Sequence, residues 1–288
     1  MREMKPNQRG PKSRFLDNKT NLTHYIDWQG EEQTTLLIHG DMRTSRSFDA
    51  VAKNLSKDSH VLAMDLLGHG DSTWLDRGYR FSDRSDDIEN FITGTNLSKV
   101  HAVAHSTGAV ALAMNVANSP ERFEKLVLLE PMMIVDSKFQ RMVSDRGNRP
   151  RTTWKDHDEL KDLLGKHEVT SKWHPDVIED VVNHETFLNE DGRLDMKWSS
   201  STLAWEEREN DYLDLEPILK SISLPILFVV GETRIGGFEK AFQLESSLQN
   251  MQTVVISNTG HNMYMERPEA VAEVIRKFRN SSRLPSRV

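Results

Sequence analysis

Short apolar runs of β type alternate with helical patterns along most of this chain, and that alternation restricts the fold more than any other feature. Its clearest unit is VHAVAHSTGAVALAMNVANSP, residues 100–120. A strand-like run ends in Ala-His-Ser-Thr-Gly, and a helix that is apolar on all sides follows at once, so both are buried. Candidate strands also stand at 21–28, 34–40, 59–65 and 124–131, with candidate helices at 47–55 and at 82–95, the latter capped by Ser82. The pattern resumes with a strand at 224–232, a helix over GGFEKAFQLESSL, the strand TVVIS, and a last helix whose Val271, Val274, Ile275 and Phe278 share one face. Strands separated by helices pair in parallel, in a sheet covered on both faces.

Between residues 132 and 215 the alternation stops. The segments there, such as KDHDELKDLLGKHE, HPDVIEDVVNHETFLNEDGRL and STLAWEEREND, read as helices rich in charge, Trp and His. The expected organisation is one α/β domain, residues 1–131 and 216–288, interrupted by a helical insertion, 132–215. Composition agrees with this and excludes other classes. In 288 residues, 37% are hydrophobic, enough for a core, and the formal net charge of -7 argues against a nucleic-acid surface. No apolar run approaches the roughly 18 residues of a membrane span. The N-terminal MREMKPNQRGPKSR lacks the apolar stretch of a signal peptide and reads as a frayed basic tail. There are no cysteines, hence no disulfide and no thiolate nucleophile or ligand. The expectation is a cytoplasmic protein without membrane or nucleic-acid partners.

Ser106 lies where a buried strand turns directly into a buried helix. A serine there occupies a strained elbow, its hydroxyl above the sheet and a helix N-terminus behind it. The turn demands small residues two before and two after, here Ala104 and Gly108; Ala104 stands where G-x-S-x-G has its first glycine. Serine needs a base to act as a nucleophile at neutral pH. His261, in SNTGHNMYMERPE between the last strand and last helix, is the candidate. His39 and His69 look like structural turn residues, His105 is expected to pack under the elbow, and no histidine spacing suggests a metal site.

Taken together, LLIHGDMRTSRSFD, MDLLGHGDS, AHSTGA and GHNMYMERPE resemble the α/β-hydrolase superfamily over roughly residues 14 to 280. The resemblance implies a mostly parallel eight-stranded sheet with helices on both faces and a helical cap between strands six and seven, where the insertion falls. It also implies an oxyanion hole built from the backbone N–H groups of Asp41 and Thr107, with the Asp41 carboxylate pointing away. No cofactor or metal is implied.

The triad acid departs from the common pattern. Most members carry an acid after strand seven, and here that position is Arg234 in VVGETRIGG. Glu130, ending strand six in LVLLEP, is the better candidate; Glu232 is the alternative. A minority of the superfamily places its acid after strand six, among them a lactonase acting on zearalenone and an (acetamidomethylene)succinate hydrolase. The expected function is a serine hydrolase acting on a small-molecule ester or lactone, with Ser106 as nucleophile, His261 as base and Glu130 as acid. Amide or carbon–carbon cleavage on the same fold, and a ligand-binding receptor with slow turnover, are the alternatives. Arg43, Met132, Met133, Trp154 and Trp205 are candidates for substrate contact, and Trp173 and Trp198 could also line the pocket. The arginines 141, 146, 149 and 151 read as a solvated face, with contact to an anionic substrate as the alternative. The chain is expected to be a monomer or homodimer.

Overall fold

The computed structural model describes residues 10–30, 33–204, 212–280 and 287. Eight strands form one sheet: β1 (Lys12–Asp17), β2 (Leu22–Asp27), β3 (Thr34–Ile38), β4 (His60–Met64), β5 (Val100–His105), β6 (Phe123–Leu129), β7 (Ile226–Gly231) and β8 (Met251–Ile256). Their spatial order is β1-β2-β4-β3-β5-β6-β7-β8. The pairs from β4 to β8 are parallel, and β2 runs antiparallel to both β1 and β4. Alternation of side chains along each strand divides the core in two. Leu36, Leu62, Ala102, Leu126 and Phe228 face α2 (Phe81–Gly94), α3 (Ser106–Asn118), α7 (Leu215–Ser221) and α8 (Glu239–Ser247). Leu37, Val61, Val103, Val127 and Val229 face α1 (Asp49–Leu55) and α9 (Pro268–Asn280). The expected stripe of Val271, Val274, Ile275 and Phe278 lies in this second cluster, all buried.

Two expectations for the sheet domain need correction. Part of the basic tail is strand β1, exposed along nearly its whole length and paired with β2 from Lys12↔Asp27 to Asp17↔Leu22. Only Leu16 of this strand packs against the core, which leaves no apolar alternation to read. Helix α2 begins at buried Phe81, so Ser82 lies inside it; the Asp83 carboxylate accepts from the Arg80 N–H at 2.8 Å and serves the start instead.

The chain between β6 and β7 carries α4 (Ser137–Gly147), α5 (His157–Lys166) and α6 (Pro175–His184). Short strands Ile134–Val135 and Leu213–Asp214 pair antiparallel near its two ends. The expectation of helix through 174–194 holds only to His184. Beyond it Thr186–Leu188 and Leu194–Met196 form an antiparallel hairpin across an Asn189–Gly192 turn. Trp173, Leu160, Leu164, Val177 and Val181 are buried in one cluster, continuous with the α1 side of the core. Among the described residues no helix is long and apolar enough to cross a membrane.

Candidate active site

Strand β5 ends at His105 and α3 starts at Ser106 with no intervening residue. Ser106 has φ 52°, a left-handed conformation that costs about 1–3 kcal/mol and is seen where a structure enforces it. The elbow packs tightly against the loop after β3: a Cβ on Gly108 would lie 2.1 Å from His39 O, so only glycine fits two residues after the serine.

His261 follows β8 on a loop fixed from several sides. The Gly260 N–H donates to Glu266 Oε2 at 2.9 Å, and the Thr259 hydroxyl donates to Ile256 O at 2.8 Å. His105 packs beneath, its ring centroid 4.5 Å from that of His261, and its Nε2 donates to His261 O at 2.9 Å. Burial and the nearby His261 ring push the His105 pKa well below the usual range, so it stays neutral, a support as expected and not a base. The result is that His261 Nε2 stands 3.2 Å from Ser106 Oγ, and Nδ1 stands 2.7 Å from Glu130 Oε2.

Glu130 directly follows β6, also with positive φ, 43°. Its side chain is fully buried. A buried carboxylate is tolerated only when its oxygens are satisfied. Here Oε1 accepts from the Gly231 N–H at 2.8 Å and Oε2 faces His261. Arg234 extends over it from the end of β7, Nε to Oε2 3.7 Å. Glu232 engages the Asn258 N–H at 2.7 Å and the Arg287 guanidinium instead.

Asp41 sits beside the elbow on the β3 loop. Its carboxylate turns away, as expected, toward the Arg84 guanidinium at 2.6 Å. Its N–H donates to the Thr107 hydroxyl at 2.9 Å. His39 and His69 are fully buried turn supports: His39 Nδ1 donates to Gly40 O at 2.7 Å while Nε2 accepts from Leu66 N at 3.0 Å, and His69 Nε2 accepts from Met42 N at 3.3 Å. Burial lowers both pKa values and keeps the rings neutral.

Ser106 and His261 open on a cavity of about 490 Å³ walled by Arg43, Met132, Phe139, Val143, Arg146 and Trp173, among others. A neighbouring cavity of about 410 Å³ also reaches Ser106 and His261 and adds Met133 and Arg234. Arg43, Met132 and Met133 therefore reach these cavities. Arg43 lies over the Trp173 ring at 5.1 Å and pairs with buried Glu185 at 2.9 Å. Trp154 does not line either one: it walls a separate cavity of about 240 Å³ with Arg149, Arg151 and Trp198. Its place is set by backbone pairing with Leu194, which carries it onto the hairpin. Trp205 lies outside the described residues.

Trp173, a candidate from the sequence, lines the larger cavity; two further wall residues, Phe139 and Val143, were not singled out. Arg146 was expected on a solvated face, with contact to an anionic substrate as the alternative, and the structure places it on a cavity wall. Arg146 lines both the 490 Å³ and the 240 Å³ cavities and has no carboxylate partner among the described residues. Burial, with the charges of Arg43 and Arg149, lowers its pKa from the usual value, yet an arginine remains protonated at neutral pH. Arg151, by contrast, is held by Asp195 at 2.5 Å. The readable signal was helical spacing: Phe139, Met142, Val143 and Arg146 fall at i, i+3, i+4 and i+7, so the arginine continues an apolar stripe. Among the described residues no group of three or more His, Asp or Glu could hold a metal ion.

Sequence and structure comparisons agree with this architecture. The 2-(acetamidomethylene)succinate hydrolase of Mesorhizobium japonicum is 25% identical over 263 residues, covering 89% of this chain and 91% of that protein. A monoacylglycerol lipase of Xenopus laevis is 22% identical over 269 residues, 88% of this chain and 77% of that one. A crystal structure of E-2-(acetamidomethylene)succinate hydrolase superposes with a TM-score of 0.82 at 22% identity, covering 94% of this chain and 100% of that one. The pattern that defines the alpha/beta hydrolase family matches residues 35–274, most of the chain, and the protein belongs to that family.

Proposed function

We propose that this protein is a serine hydrolase that cleaves a carboxylic ester or lactone through an acyl-enzyme. The reading rests on one observation: the Ser106 hydroxyl, on a strained elbow, faces His261 Nε2 at 3.2 Å while Nδ1 of the same ring is 2.7 Å from a fully buried carboxylate. Ser106 Oγ attacks the carbonyl carbon as His261 takes its proton. The tetrahedral oxyanion is met by the Thr107 and Asp41 N–H groups. Collapse breaks the bond to the leaving oxygen, which receives the proton from His261. Water, deprotonated by the same ring, then releases the acid. Glu130 fixes the Nδ1–H tautomer and stabilises the imidazolium. Residues 132–215 form a cap over the cavity, tied to the sheet domain where Glu185 accepts from the Thr44 N–H at 3.0 Å and from Arg43.

Arg146, which has no ion-pair partner among the described residues, favours a substrate carrying a carboxylate, and the relative named for a substituted succinate acts on a molecule of that kind. The test is a panel of neutral and acidic esters, lactones and amides against the wild type and Ser106→Ala. Turnover of an ester or lactone that vanishes in Ser106→Ala supports the reading; turnover that survives the substitution, or confined to amides, overturns its serine or its ester part respectively.

A further inference from the structure

The Asp41 N–H, one of the two donors of the proposed oxyanion hole, is already engaged by the Thr107 hydroxyl at 2.9 Å. The loop that carries Asp41 has little freedom to change this. Its carboxylate is pinned 2.6 Å from Arg84, a side chain 1% exposed. The next residue, Met42, holds a left-handed φ of 62°, and its N–H donates to His69. On the other side Gly40 is packed so closely that a Cβ there would lie 2.9 Å from Ser106 Cβ. The Thr107 hydroxyl turns about a single bond, and threonine in a helix divides between two rotamers. We propose that Thr107 guards the oxyanion hole: its hydroxyl occupies the Asp41 N–H in the free enzyme and must yield it to the acyl oxygen.

This inference rests on the serine-hydrolase reading above. If it holds, opening the hole costs each turnover one neutral hydrogen bond, about two- to tenfold in an equilibrium constant. The step is a rotation, with no bond made or broken. It acts on any ligand that places an oxygen in the hole, and leaves the rest of the cavity unchanged. Thr107→Ala keeps the backbone N–H at that position, removes the competing hydroxyl and suits a helix. Thr107→Ser keeps the hydroxyl.

The experiment measures inhibition by an alkyl boronate, which forms a tetrahedral adduct on the serine, together with kcat and KM for one ester. Thr107→Ala is expected to bind the boronate about two- to tenfold more tightly than either the wild type or Thr107→Ser, to raise kcat by a similar factor and to leave KM nearly unchanged. Weaker boronate binding in Thr107→Ala restored by Ser would make the hydroxyl a donor that builds the hole, and overturns the proposal. Equal binding in all three proteins overturns it too. A wild type that turns over the ester but whose turnover survives Ser106→Ala would instead remove the serine-hydrolase reading, and this inference with it.

Discussion

The Arg234 guanidinium lies 3.7 Å from the Glu130 carboxylate, at the place in the chain where most α/β hydrolases carry the triad acid. On the reading proposed above Glu130, at the end of β6, serves as that acid, and the Arg234 cation stands over it. Glu130 is buried but Arg234 is half exposed, so solvent screens the guanidinium, and at 3.7 Å it contributes little. Arg234→Ala is therefore expected to lower kcat by less than about threefold. Glu130→Ala with Arg234→Asp returns a carboxylate to the β7 end, and is expected to recover at least about tenfold of what Glu130→Ala alone loses. Steady-state rates of the four proteins check this; a double variant no better than the single one would mean that the β7 end no longer reaches His261.

Arg146 carries the substrate-charge argument. Truncating it to methionine keeps the bulk of the cavity wall and removes the charge. The expected result is a rise in KM for an acidic ester of about 10- to 100-fold, the scale of a hydrogen bond to a charged group, with a neutral ester of the same size little affected. An equal effect on both substrates would count against anion recognition there.

Gly108 tests the elbow. A methyl group at this position would meet the His39 carbonyl oxygen at 2.1 Å, a backbone atom on a buried strand end. Gly108→Ala should destabilise the fold by about 1–3 kcal/mol, read from a urea midpoint, and should lower kcat further by shifting Ser106 against His261. Wild-type stability and rate would mean that the loop after β3 gives way more easily than its packing indicates.

A pH dependence follows from Asp87, fully buried on α2, whose Oδ2 accepts from the Leu67 N–H at 3.0 Å. Burial raises its pKa from 3.8 to about 7. The folded state thus holds a proton that the unfolded chain has released, and stability falls as pH rises from about 4 to about 7, by on the order of 3–4 kcal/mol for this one group. Asp87→Asn keeps an acceptor for Leu67 and cannot ionise, so it should remove that slope. Denaturation midpoints at pH 4.5 and 7.5 for both proteins provide the check.

Ser106 was legible from the short apolar run HAVAH before it and His261 from the loop after TVVIS, whereas Glu130, at the end of LVLLE, was singled out by the family resemblance, since Arg234 stands at the usual acid position. Parallel strands carry their C-terminal ends to one edge of the sheet, so three separate stretches had to meet there. The cavity wall was less legible. Arg146 differs from Arg141 and Arg149 only by its place on a helical stripe, and charge alone makes the three look alike. Trp154 and Trp173 are both buried aromatics of the insertion, and only the hairpin and the packing of α5 and α6 send one toward Ser106 and the other away. The hydroxyl of Thr107 on Asp41 had no sequence signal, since it depends on a loop and a helix brought together across the sheet.

The central claim is that Ser106 is activated by a histidine held by Glu130. Its most direct test is the rate at which an alkyl fluorophosphonate modifies the protein, followed by intact mass and peptide mapping, in wild type, Glu130→Gln and Glu232→Gln. The expected result is a single adduct on Ser106, slowed roughly 100- to 10,000-fold by Glu130→Gln and little changed by Glu232→Gln. An adduct on another residue, or the opposite ranking of the two variants, would contradict the account.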